Sequence, residues 1–428
     1  MQPMKSDNYK WCALALLFLM YVVNIIDRHI INILIEPIKA DLALGDAQAG
    51  FITGLAFALF YTVMGVPIAM LADRYHRTRL ICLCSALWSL ATAASGAASS
   101  YAGMAAARMA VGVGEAGLTP TANSLIGDLF EPRHRGKALG IYISAVSVGT
   151  MLAGLLGGWL EHRLGWRMTF IILGIIGLVL TLIFRFTFRE PQRGALDDAA
   201  SQPQQRSYTL VETVRYLLRK RSCRYFFPAF ALVGFVGAAI NNWTPAFFMR
   251  SHEMNLMQMA ASVGAIFGAG GALGMIGGGL LADHFSTRNV ASYLKVPAIA
   301  VLVRLPLYFG VYLVSDSTPA LLLLVVPVTV AAIIVPPVLA LLQRLVKNNM
   351  RAVAVAVFLV VVHLIGMGFG PLLVGVISDA LHPIAGPDSL RYALMSIIPL
   401  NLVAVLLFWR GARYVDADLG HTEARVND

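Results

Sequence analysis

Apolar residues fall along this chain in long uninterrupted runs, not in alternation with polar ones. Twelve runs can be marked, at 11–34, 49–72, 80–99, 102–130, 138–160, 168–188, 225–248, 257–282, 293–314, 319–345, 352–380 and 392–409. Arg/Lys clusters and Gly, Pro or Asn turns bound them. A helix of ~20 residues crosses a ~30 Å hydrocarbon core. Strands of a membrane barrel would be shorter and would alternate. The pattern predicts an all-α membrane protein with twelve transmembrane helices.

Composition agrees, since 58% of the residues are hydrophobic and only 13% charged, against roughly 25% charged in soluble domains. The net charge of +10 invites a nucleic-acid partner, but topology explains it more simply. With both ends inside, 24 Lys/Arg fall in segments on the cytoplasmic side, 5 fall on the other, and 4 (Arg28, Arg108, Lys295, Arg304) lie within spans. This bias puts both termini in the cytoplasm of a multi-pass protein of the cell membrane, with no nucleic-acid partner. The first apolar run is too long and too charged for a cleavable signal. Cys12, Cys82, Cys84 and Cys223 all sit in or beside spans, and read as packing residues instead of a metal or disulfide site.

Charge inside the runs carries the chemistry. Arg108 and Glu115 lie in the fourth run, seven positions apart. That spacing is nearly two helical turns, so both leave one face about 10 Å apart along the axis. They are too distant to pair with each other, and each needs a partner on another helix or water. One buried charge in a span costs roughly 2.5–3.5 kcal/mol on insertion scales, so this face should turn toward a functional interior. In the first run, Asn24, Asp27 and Arg28 lie among isoleucines. The apolar continuation past Arg28 favours an intramembrane, titratable Asp27. Adjacent residues leave a helix ~100° apart, so Asp27 and Arg28 must face different neighbours.

The chain also repeats itself. Asp73-Arg74-Tyr75-His76-Arg77 closes the second run, and Asp283-His284-Phe285-Ser286-Thr287-Arg288 closes the eighth. Arg135 and Arg351 open corresponding runs, and glycine-rich stretches end them. This is the signature of an internal repeat of two six-helix halves. The division expected is an N-terminal bundle over 1–190, a linker with a surface helix over 191–222, a C-terminal bundle over 223–411 and a cytoplasmic tail over 412–428.

The duplicated acidic–basic turn, Arg108-x-x-x-Gly112 and the glycine-rich fifth span resemble the major facilitator superfamily over essentially the whole chain. Ala69 and His76 stand where the superfamily commonly has glycine, and the C-terminal turn keeps only Asp283 and Arg288. Val111-Gly112-Val113-Gly114-Glu115-Ala116, Pro120-Thr121, Asp128-Leu129-Phe130 and Asp73-Arg74-Tyr75-x-Arg77 are similar to the spinster family, more so than to the organic-anion/cation symporters that share Asn24-x-x-Asp27-Arg28. The resemblance implies export or proton-coupled movement of lipids such as lysophospholipids or sphingosine phosphate, with Asp27, Arg108 and Glu115 as coupling and substrate residues.

On this reading Asp27 and Glu115 carry protons. Arg108, Arg28, Asn24, Asn241, Asn242 and His363 touch substrate. Asp73, Arg74, Arg77, Asp283 and Arg288 gate. The expected partners are an amphipathic or anionic substrate, protons and membrane lipids, with no metal or cofactor, for a monomer. Asn241 and Asn242 could instead satisfy backbone freed by Pro245, which is expected to break its helix. Lys295 and Arg304 should snorkel or pair locally. The segment 189–207 reads as a flexible linker. In the segment 208–221, Leu210, Val211, Val214, Leu217 and Leu218 share one face of a helix on the membrane surface. A small-organic-anion symporter needs the same charges, whereas a receptor or scaffold would not need them. No nucleophile–base pair, metal cluster or phosphate loop suggests an enzyme.

Overall fold

The computed structural model describes residues 7–193, 209–286, 289–347 and 350–424. Arg288, and the side chains of Asp73 and Asp283, lie outside the described residues. Those described are helical, with no strand among them. The elements are α1 (Asp7–Ile33), α2 (Ile35–Leu42), α3 (Asp46–Gly50), α4 (Ala56–Arg74), α5 (Arg77–Gly96), α6 (Tyr101–Glu115), α7 (Leu118–Leu129), α8 (Pro132–Thr187), α9 (Leu210–Arg219), α10 (Arg221–Ser251), α11 (Leu256–Ser286), α12 (Ser292–Leu313), α13 (Ser317–Ile333), α14 (Val335–Leu345), α15 (Arg351–Val362), α16 (Gly370–Ala385), α17 (Ser389–Ile397), α18 (Leu400–Ala412) and α19 (Val415–Ala424). The chain folds into two compact units, Met1–Pro203 with Asn255–Gly264, and Gln204–Met254 with Ala265–Asp428.

In the first unit α1 is unbroken through Asp27 and Arg28, so both are mid-helix residues. The fourth apolar run is two helices, α6 and α7, joined at residues 116–117. Helix α8 holds 56 residues, about 84 Å at the helical rise, far more than one crossing. It turns back at Gly165, whose φ of 76° is left-handed and suits glycine. Arg167 fixes the turn by donating to Ala98 O at 2.6 Å and pairing with Asp41 at 2.6 Å.

The core of the second unit gathers Phe226, Phe230, Phe358 and Phe408 with leucines of α14. Helix α10 is continuous over 31 residues despite Pro228 and Pro245, contrary to the break expected at Pro245. Proline removes one N–H donor. Close by, the Thr244 hydroxyl donates to Ile240 O at 2.6 Å, the back-bond that threonine makes one turn down its own helix. Trp243 Nε1 adds a bond to Pro371 O at 2.9 Å.

Arg304 is buried and donates to Asn401 Oδ1 at 2.9 Å. It pairs locally and does not snorkel.

Candidate substrate and proton site

Glycine sets the packing that positions the charges. Helix α6 starts where the Ser100 side chain accepts from Gly103 N at 3.2 Å, an N-cap that fixes its register. A Cβ on Gly112 would lie 2.6 Å from Phe57 O of α4, and one on Gly114 2.6 Å from Trp88 N of α5. These two glycines let α6 wedge between α4 and α5, as small residues do in membrane helix packing. Arg108 and Glu115 flank the wedge and are both buried.

Their partners come from α1. Arg28 donates from Nε and Nη2 to Glu115 Oε2 at 3.0 and 2.8 Å. Arg108 Nη1 reaches the backbone oxygen of Asp27 at 3.5 Å. Asp27, fully buried, accepts from Thr92 of α5 at 3.2 Å. Adjacent residues thus address different helices, Asp27 facing α5 and Arg28 facing α6. Asn24, one turn earlier, is buried close to Glu115.

Aromatic rings close one side. The Arg28 guanidinium lies 5.1 Å from the Phe57 ring centre and 4.8 Å from that of Tyr61, and Arg108 lies 5.6 Å from Phe57. A desolvated cation over such a face gains up to about 2 kcal/mol.

The set is two carboxylates and two guanidinium groups, electrically balanced when all are ionised. Its hydrogen bonding is incomplete. Asp27 Oδ1, Glu115 Oε1, Arg108 Nε and Asn24 Nδ2 are buried without a hydrogen-bond partner. Buried polar atoms are nearly always paired. Four orphans within one cluster mark a place that can accept a polar guest or a proton. The Arg28 side chain keeps 14% of its surface exposed, so the cluster is not sealed.

The remaining candidates lie elsewhere. Asn241 and buried Asn242 are on α10, and half-buried His363 opens a π-helical stretch, His363–Phe369; all three belong to the second unit. Arg74 is exposed at the end of α4. Arg77 is buried within the first unit, paired with Asp128 and with Glu190 at 3.2 Å, and donating to Pro191 O at 3.0 Å.

Glu190 also accepts from the backbone N–H groups of Arg77 and Thr78 at 3.0 and 3.2 Å, and so caps α5 from a distant part of the chain. Burial alone would raise its pKa, but these backbone bonds and the Arg77 guanidinium hold it below the usual glutamate value. Arg193 donates to Ala72 O and Tyr75 O. Residues 189–193, read from sequence as the start of a flexible linker, are docked on the α4–α5 turn. Sequence reasoning passed over Glu190, Thr92, Phe57 and Tyr61. A signal existed for Glu190 alone, an acid between Arg189 and Arg193 just after an apolar run.

The Major Facilitator Superfamily model matches residues 17–371. The chain belongs to the Major Facilitator Superfamily. Within this superfamily of transporters it is a member of the spinster family. It is 27% identical to protein spinster homolog 1 of Xenopus tropicalis over 98% of this chain and 83% of that one. A solved bacterial homolog of the human lysosomal transporter spinster, in an inward-facing and unoccupied conformation, superposes with a TM-score of 0.89 at 30% identity, covering 96% of this chain and 99% of that chain. A protein named MFS-type efflux pump, from Mycolicibacterium smegmatis, is 32% identical over 94% of this chain and 93% of its own.

Proposed function

We propose that this superfamily member is a secondary active transporter that moves an amphipathic, lipid-like anion of the lysophospholipid or sphingosine-phosphate type by proton-linked alternating access. It acts in the cell membrane with both termini cytoplasmic. The observation that carries the reading is the unequal partnering of the two buried acids. Glu115 holds a two-pronged ion pair with Arg28, whereas Asp27 Oδ2 has one neutral hydroxyl donor and Oδ1 has none.

Protonating Glu115 breaks an ion pair. Protonating Asp27 on its unpartnered Oδ1 leaves the bond from Thr92 to Oδ2 in place. Asp27 is therefore the proposed main proton carrier and Glu115 the anchor that holds Arg28. A proton on Asp27 leaves the cluster with one uncompensated positive charge beside Arg108. At roughly 2.5–3.5 kcal/mol for a charge in a membrane interior, and 1.4 kcal/mol per tenfold, this favours an anionic guest by about a hundredfold. Proton uptake and anion binding then favour one another, as linkage requires.

The family resemblance supports a lipid-like solute, and the relative named an efflux pump supports outward movement. Asn241, Asn242 and His363 are the second unit's candidates for touching the guest. Arg74 and Arg77 are the cations of that turn proposed for gating, alongside Asp73, Asp283 and Arg288, with Arg77 paired here to Asp128 and Glu190. The test is binding of a single-chain lysophospholipid to purified protein. Affinity should fall at least tenfold in Arg108→Ala. Unchanged affinity would remove Arg108 as the headgroup site.

A further inference from the structure

The linker helix α9 offers a second, separate lipid chemistry. Thr209 and Glu212 form a capping box at its start, so its ten residues have their own N-terminal stop. Its inner side is settled, since Thr213 and Leu217 are buried and Leu217 joins the core of the second unit. The apolar face expected from sequence is thereby split. Leu217 turns inward, and Leu210, Val211 and Leu218 stay exposed at 53%, 64% and 58%. A single residue, Lys220, separates α9 from the membrane-crossing α10, so α9 is held at the level where α10 enters the bilayer.

The exposed apolar residues line a groove of about 470 Å³ together with Arg215, Arg219 and Arg224. Arg224 donates to Leu218 O and so closes the far end. From 209 to 224 five cations stand against one carboxylate, Glu212, and that carboxylate is occupied by the cap. An apolar trough rimmed by guanidinium groups at the bilayer surface matches an acyl chain below an anionic headgroup.

We propose that this groove binds an anionic phospholipid of the surrounding leaflet, and that the lipid seats α9 on the membrane. The arginine rim selects the headgroup, and the leucine and valine floor takes the acyl chain. A zwitterionic lipid, whose cationic group faces the same arginines, is disfavoured. A free phosphate lacks the chain and should not compete.

Purified full-length protein in nanodiscs carrying photoactivatable phosphatidylglycerol or phosphatidylcholine, followed by peptide mapping, tests this. Labelling within 210–224 should be at least fivefold greater with phosphatidylglycerol. It should fall at least fivefold in Arg215→Ala/Arg219→Ala and be unchanged in Arg133→Ala, which removes an exposed arginine elsewhere. Val211→Asp should lower labelling by both lipids without melting α9, because an acid in the first helical turn suits the helix N-terminus. Equal labelling by the two lipids, full labelling of the double variant, or displacement by millimolar glycerol phosphate would each overturn the proposal.

Discussion

Arg28 places both Nε and Nη2 on one oxygen of Glu115, at 3.0 and 2.8 Å, and leaves the other oxygen, Oε1, without a partner. The pair joins α1 to α6 across the interior of the first unit. Breaking a buried pair by removing one partner costs about 3–5 kcal/mol, whereas replacing both with apolar groups is often neutral. Arg28→Ala should therefore lower the melting temperature of the detergent-purified protein markedly. Arg28→Met/Glu115→Met should recover most of that loss. A double variant no more stable than Arg28→Ala would mean that the loss does not come from leaving Glu115 buried and unpaired.

The glycine wedge makes a steric prediction. A methyl group at Gly112 or Gly114 would meet backbone atoms at 2.6 Å, while one at Gly127 would meet nothing within 4 Å. Overpacking typically costs 1–3 kcal/mol. Gly112→Ala and Gly114→Ala should each lower the melting temperature and reduce transport, because displacing α6 moves Arg108 and Glu115. Gly127→Ala, on α7, should behave as wild type in both assays.

The cap supplied by Glu190 predicts a pH dependence. Its folded pKa lies below the ordinary glutamate value of 4.5. A depressed carboxylate contributes stability above its unfolded pKa, and that contribution is lost as pH falls through the folded pKa. Melting temperature should thus drop on acidification below about pH 4.5 more steeply in wild type than in Glu190→Gln, which lacks the group. Parallel curves for the two proteins would show that Glu190 contributes nothing through its charge.

Arg304 and Asn401 test the second unit. The guanidinium is buried and the amide is its hydrogen-bond partner, at 2.9 Å, while Arg304 Nε and Asn401 Nδ2 are unpartnered. Asn401→Leu should destabilise by leaving a buried cation with less solvation. Arg304→Met/Asn401→Leu should be more stable than Asn401→Leu alone. The opposite order of melting temperatures would show that the arginine is solvated by other means.

The parts of this architecture that repeat at helical spacing could be read from the chain. Apolar runs ended near the helix ends, and the seven-residue offset of Arg108 and Glu115 required partners on other helices, which Arg28 and Asp27 supply. What escaped depends on which helices become neighbours. Thr92, Phe57 and Tyr61 are ordinary residues of apolar spans until α4 and α5 pack beside α1 and α6. Glu190 caps a helix that begins 113 residues earlier, a contact that no local pattern encodes. Pro245 looked like a break because local propensity disfavours it, but it is buried in a continuous helix, and tertiary packing overrides the preference. Leu217 shared its helical face with exposed leucines, and only the tertiary core decides which of them turns inward.

The central claim is that Asp27 carries the proton whose binding favours the anion at Arg108. Transport of a lysophospholipid in proteoliposomes, with and without an imposed pH gradient, measures it in wild type and in Asp27→Asn, with folding checked by melting temperature. The wild type should accelerate with the gradient, and Asp27→Asn should fold yet transport at one rate whether or not the gradient is present. Full gradient-driven transport by Asp27→Asn would contradict the account and move the proton to another residue.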